Sequence, residues 1–173
     1  MSTIRCVEPG LSVETGQPYV VRVNATDELL FPHVDSCLSI AIVLQNGQML
    51  GGHVGMQMPN ADDLDPYGNA LAITDQLMKM AGSDPIARVI LVGDGGTWEN
   101  DFIGNRDVVQ AVLQRIGAQH SLFVDTGAYG GGVDVSLNPR RHMVFVQRCT
   151  NNSPLVFQRA YADIQGAQIR RLP

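Results

Sequence analysis

The stretch that most constrains this chain runs from Asp35 to Met58, DSCLSIAIVLQNGQMLGGHVGMQM. Leu38 to Leu44 is apolar at every position but Ser39. Such a run suits a strand buried on both faces or a turn of buried helix, and periodicity alone does not choose between them. Asn46-Gly47 follows. This pair is the strongest short hairpin signal, because both residues tolerate the positive φ that a type I′ turn requires. Met49 to Met56 then returns as a glycine-rich strand, and the remainder of the chain builds an α+β scaffold around it.

Cys37 and His53 stand at the two ends of this stretch and form a candidate nucleophile and base. An ideal two-residue hairpin pairs Gln45 with Gln48 and sets Ile40 opposite His53. Cys37 then lies roughly 10 Å along the strand and on the other face. A working pair therefore needs a departure from the ideal. Either Cys37 leaves the strand on a turn or helix start, or Gly51-Gly52 forms a bulge that re-aims His53. The plainer alternatives are a small buried cysteine beside a strand and a hydrogen-bonded strand histidine.

The 173 residues suit one domain, with a core over about 19–147 and a polar tail over 149–173. The apolar fraction of 45% is enough for a proper core. A net charge of −5 argues against nucleic-acid binding through a basic surface. The apolar runs fall far short of the ~20 residues that span a bilayer, so no membrane insertion is expected. MSTIRCVEPG has no apolar signal region. Cys6, Cys37 and Cys149 are odd in number and widely spaced, which argues against a disulfide framework or a metal site. Reduced thiols and a cytoplasmic location are the expectation, with export by another kind of signal as the alternative.

Tyr19 to Val23 reads as a strand, Asn24 to Glu28 as a turn, and Pro32 stops any helix after Leu29-Leu30-Phe31. Asp65-Pro66 is a helix start, and Ala70, Thr74, Leu77, Met78 and Ala81 make one stripe before the stop at Gly82. Met56, Met58 and Met78 read as core filler. Ala87 to Gly93 is a continuous apolar strand. The GDGGTWEND that follows is a turn without the lysine or spacing of a nucleotide-binding loop. Trp98 in this loop reads as folded over the core. A second helix is expected from about Asn105 to Ile116, a strand over Ser121–Thr126, and a glycine turn at Gly130–Gly132. Val133–Leu137 and Met143–Gln147 then form a hairpin. In the tail, Tyr161 and Ile164 are docking points. Six or seven strands and two main helices give an α+β class with mixed or antiparallel sheets.

The order of motifs is similar to the chemoreceptor glutamine deamidases, the CheD family of bacterial chemotaxis. The matching residues are Ser36-Cys37, His53 with Met58-Pro59, Tyr67, Gly95-Gly96, Ile103-Gly104-Asn105-Arg106, and Gly130-Gly131, spread over roughly residues 30–147. The resemblance implies the fold shared with cytotoxic necrotizing factor deamidase domains. It also implies a Cys-His hydrolase that acts on a glutamine side chain of a partner protein. Cys37 falls on the family's nucleophile and His53 on its base. Val34-Asp35 stands where the family has Leu-Gly, and Phe31 and His33 occupy the region of its active-site threonine. Gly131-Gly132-Val133-Asp134 replaces a basic Gly-Gly-x-x-Gly-Arg stretch. The last departure weighs against a chemoreceptor substrate and leaves room for another protein target, including one in a competitor or host cell; Asp35 and Val133-Asp134 also favour a binding module that has lost activity.

A thiol of pKa ≈ 8.5 is mostly protonated at neutral pH, so a nearby imidazolium is expected to favour the thiolate. Cys37 would form a thioester with the glutamine side chain, and His53 would protonate ammonia and then activate water. Ser36 and the Cys37 backbone N–H are candidate oxyanion donors. His33 or a backbone carbonyl is the candidate group that orients the base. The chemistry needs no metal or organic cofactor. The rivals are an inactive binding module and a thiol protease or transglutaminase. Cys6, Cys149, His120 and His142 keep structural or surface roles.

Overall fold

The computed structural model describes residues 1–127, 132–149 and 155–173. Its elements in chain order are β1 (Thr3–Arg5), α1 (Pro9–Thr15), β2 (Val20–Val23), β3 (Glu28–Val34), β4 (Leu38–Leu44), β5 (Met49–Val54), α2 (Pro66–Ala81), β6 (Ile86–Gly93), α3 (Gly95–Trp98) and α4 (Val108–Ile116). They are followed by β7 (Ser121–Asp125), β8 (Val133–Asn138), β9 (Met143–Arg148), β10 (Leu155–Ala160), a 3₁₀ turn (Tyr161–Asp163) and β11 (Ala167–Arg171). The class is mixed α+β. No described helix is long and apolar enough to cross a membrane.

The strands form two mixed sheets. One has the order β1-β3-β8-β9-β10, the other β11-β7-β6-β4-β5-β2. Alternation along β4 explains why both faces of the larger sheet are covered. Ala41 and Val43 face the smaller sheet and pack with Phe31, Val135 and Val146. Leu38, Ile40 and Ile42 point the other way, onto α2 and α4. All seven residues of β4 are therefore buried, as an apolar run without alternation requires. The result is three layers: sheet, sheet, helices.

The helices follow their end signals. Asp65 caps α2, its carboxylate accepting from Gly68 N at 3.0 Å, and Pro66 begins the helix. The second main helix starts at Val108, later than the expected Asn105. Asp107 takes the cap, accepting from Gln110 N at 2.8 Å, while Asn105 sits at φ +53° outside the helix. Asp94 likewise turns the expected glycine turn into the single-turn α3. The tail carries two strands that its polar composition hid. β10 pairs with β9, and β11 lies parallel to β7. Leu29–Phe31 belongs to a full strand, β3, with Pro32 inside it, beside a register shift in its pairing with β8.

The central hairpin forms, but not in the ideal register. Leu44, rather than Gln45, pairs with Gln48, and Gln45 donates its N–H to Pro85 O instead. The turn is thus Gln45-Asn46-Gly47, with Gly47 N bonded to Leu44 O at 3.0 Å and Gly47 at φ +88°. This is the three-residue turn whose last position needs the left-handed region, which glycine enters without strain. Asn46 Oδ1 holds the return strand by accepting from Gln48 N at 2.9 Å. The pairing is then unbroken from Val43↔Met49 to Leu38↔Val54, so the expected bulge at Gly51-Gly52 is absent.

Candidate active site

One extra turn residue changes which side chains meet. His53 lies opposite Ser39, not Ile40. A shift of one residue moves a strand's side chains to the other face. His53 thereby faces the space between the two sheets, against Phe31. The turn thus departs from the ideal hairpin and changes the residue opposite His53. Cys37 lies in the bend just before β4, two residues ahead of Ser39 and outside the ladder that sets the position of His53.

His53 is fully buried, with Phe31 edge-on to its ring at 6.1 Å. Its Nδ1 lies 2.9 Å from the carbonyl oxygen of Cys6. A carbonyl only accepts, so Nδ1 carries the proton and donates. Nε2 is left with a lone pair, and it has no hydrogen-bond partner although it is buried. This is the tautomer a general base needs. The segment that presents the carbonyl is itself fastened to both sheets. Cys6 N donates to Leu30 O on β3, and Cys6 Sγ lies 3.3 Å from Tyr19 O next to β2. Cys6 thus contributes its backbone to the site. Sequence pattern carries no signal for this, because any residue supplies a carbonyl.

Cys37 is 7% exposed and sits just before β4. Its own carbonyl closes against Gly93, where an added Cβ would come within 3.0 Å of it. The neighbouring carbonyl of Ser36 accepts from Trp98 Nε1 at 3.2 Å, and Trp98 is buried beneath, as expected of a core tryptophan. Ser36 itself is exposed. No hydrogen bond joins the Cys37 thiol to the His53 ring, whose Nε2 is unpartnered.

The electrostatics run against a resting ion pair. Burial pushes the Cys37 thiol up to about 12, with Glu8 and Asp35 adding to the effect and the Ser36 side chain opposing it. Burial pushes His53 down to about 4; the bond to the Cys6 carbonyl opposes this and His33 reinforces it. Thiol and imidazole both rest neutral, instead of as the thiolate and imidazolium that the sequence reading expected. Glu8, which caps α1 by accepting from Leu11 N at 2.8 Å, is a second residue that the sequence did not single out.

His33 is exposed at φ +55°, and its backbone N donates to Asp134 Oδ1 at 2.8 Å. The orienting bond to His53 comes from Cys6, not from His33. Cys149 also points its thiol at Asp134, 3.3 Å away. Two distant motif pieces do meet: the Arg106 guanidinium lies 4.2 Å over the Tyr67 ring. Arg106 also reaches the fully buried carboxylate of Asp101, which accepts from Ile103 N and Gly104 N and so shapes that loop. Gly130 and Gly131, the last matching pair, lie outside the described residues; of the expected glycine turn only Gly132, at φ +84°, is described. Among the described residues no group of three His, Cys, Asp or Glu side chains is arranged to hold a metal.

No family model matches this chain. No curated protein matches it either.

Proposed function

We propose that the chain is a cysteine-dependent protein-glutamine deamidase, built on a fold of the CheD and necrotizing-factor kind. The observation that carries this reading is the state of His53. Its Nδ1 is held by a backbone carbonyl, and its Nε2 is buried and unpartnered. A histidine kept only for packing has no reason to leave a buried acceptor empty, which costs on the order of 1–3 kcal/mol. The layering of two sheets and a helical layer, with the hairpin at its centre, adds support.

In this reading Cys37 Sγ attacks the carboxamide carbon of a substrate glutamine as His53 Nε2 takes the thiol proton. The C–N bond then breaks, and the same proton leaves with ammonia. A water, deprotonated by His53, attacks the thioester and releases glutamate with the free thiol. Transfer of a proton between neutral partners replaces the preformed thiolate, as a buried site favours. The Cys37 N–H and the Ser36 side chain are the nearest donors for the oxyanion. The partner is a protein whose glutamine reaches Cys37 beside the charges of Glu8 and Asp35. A bacterial signalling protein fits this description, as does the target of an exported effector.

The second reading is a binding module without catalysis. It is favoured by the missing thiol–imidazole hydrogen bond and by the neutral resting state. One experiment separates the two. A glutamine-rich protein such as casein is incubated with the parent chain and with Cys37→Ser, and both ammonia and the Gln-to-Glu mass change are followed. Catalysis predicts both products from the parent alone. Ammonia from neither chain, with no thioester trapped on Cys37, would favour the binding module.

A further inference from the structure

The two sheets part at the end of β4 remote from Cys37. There the Gln45–Gly47 turn, the Pro139–His142 turn and the 3₁₀ turn after β10 surround a cavity of about 650 Å³. That size is within the usual range for small-molecule sites, about 300–1,000 Å³. Its walls combine an apolar body, including Val43, Leu44 and Tyr161, with three basic side chains: Arg88, Arg141 and His142. No carboxylate lines it, in a chain whose net charge is −5.

Arg88 is the unusual member. It stands opposite Val43 and so faces the space between the sheets. Its Nε is buried without a hydrogen-bond partner. A guanidinium stays charged at any accessible pH, so it cannot relieve this by losing a proton. Four other arginines, Arg22, Arg106, Arg115 and Arg171, each reach a carboxylate. Arg88 and Arg141 form no ion pair among the described residues. Arg141 instead lies over the Phe145 ring at 5.0 Å. His142, at φ +50°, stacks flat on Tyr161 with ring centres 6.0 Å apart. The left-handed backbone is sparsely occupied by residues other than glycine, and here it lays the imidazole along the cavity wall.

We infer that this cavity binds a small organic phosphate. Two guanidinium forks and an imidazole offer more donors than one carboxylate can accept, and they suit the three oxygens of a phosphate group. The apolar walls take the organic body. The site lies roughly 20 Å from Cys37 along β4, so it stands independently of the deamidase reading.

The test is a titration of the full chain with inorganic phosphate, then with adenosine monophosphate and adenosine, followed by backbone amide NMR. Phosphate should give saturable shifts at Gly47 and His142, the monophosphate should bind at least as tightly, and adenosine should give none. Arg88→Gln and Arg141→Gln should each weaken phosphate binding tenfold or more. Arg141 is exposed, so its variant tests the site even if Arg88→Gln fails to fold. No saturable phosphate shifts, equal binding to Arg141→Gln, or equal shifts with adenosine would overturn the inference.

Discussion

At the scale of single residues, the site is defined by what burial does to His53. Its pKa falls to about 4 from an ordinary 6.5. The folded value lies below the unfolded one, so between these two pH values the unfolded chain binds more protons. Stability therefore rises with pH through that window and is lost as pH falls through it. The full shift corresponds to about 3 kcal/mol. Asp101 and Asp125 add losses only at lower pH. Burial acts to raise both, but the N–H donors and arginine beside each outweigh it and hold them below the ordinary carboxylate value. Urea unfolding at about pH 7 and about pH 4.5 tests this. The parent should lose more stability than His53→Gln over that interval, by about 2–3 kcal/mol. Equal losses would place the titration elsewhere. Cys37 and His53 could be singled out in the sequence as candidates. Their neutral resting state could not, because it comes from neighbours brought in by β1, β3 and α1 rather than from the motif.

At the scale of elements, the glycines of β5 fix how closely its neighbours approach. A Cβ on Gly52 would lie 2.6 Å from Ile73 Cγ2 and 3.2 Å from Leu77 Cδ1, both on α2. Ile73 is β-branched and cannot swing its Cγ2 away without moving the helix. Gly52→Ala should cost about 1–3 kcal/mol in urea unfolding, as overpacked cores do. Gly51→Ala meets Leu29 and Val21 at 3.1 Å, a wider approach than the 2.6 Å at Gly52, and should cost less. A larger loss at Gly51 than at Gly52 would refute this account of the α2 contact. The helices were the most legible elements, since α2 runs from Pro66 to Ala81 between the two end signals in the sequence. The hairpin was legible in kind but not in register. The choice between a two- and a three-residue turn was settled by Pro85, which takes the N–H of Gln45 and lies 40 residues away in the sequence.

At the scale of the whole molecule, residues 155–173 complete both sheets. β10 forms one edge of the smaller sheet and β11 one edge of the larger. Phe157, Tyr161, Ile164 and Leu172 bury themselves between the sheets. Arg171 pairs with Glu99 and Asp125, which ties the last strand to the end of α3 and to the end of β7. A chain stopped at Cys149 should expose the edges of β7 and β9 together with this apolar surface. It should be recovered as aggregate in size-exclusion chromatography. A monomer with cooperative unfolding would show that the tail is dispensable. These strands were illegible because edge strands are short and half solvated: β11 has four exposed or charged residues among its five. Their partners, not their own composition, hold them in place.

The turn at Gln45–Gly47 has one more consequence. Surface loops usually treat length as a continuous quantity, each added residue costing a few tenths of a kcal/mol in closure entropy. Here the quantity that counts is parity. Adding or removing one residue would invert every side chain of β5 relative to β4, while a change of two would leave the faces as they are. The rigid ladder carries that odd-or-even choice undiminished over roughly 20 Å to the far end of the hairpin, where His53 stands opposite Ser39.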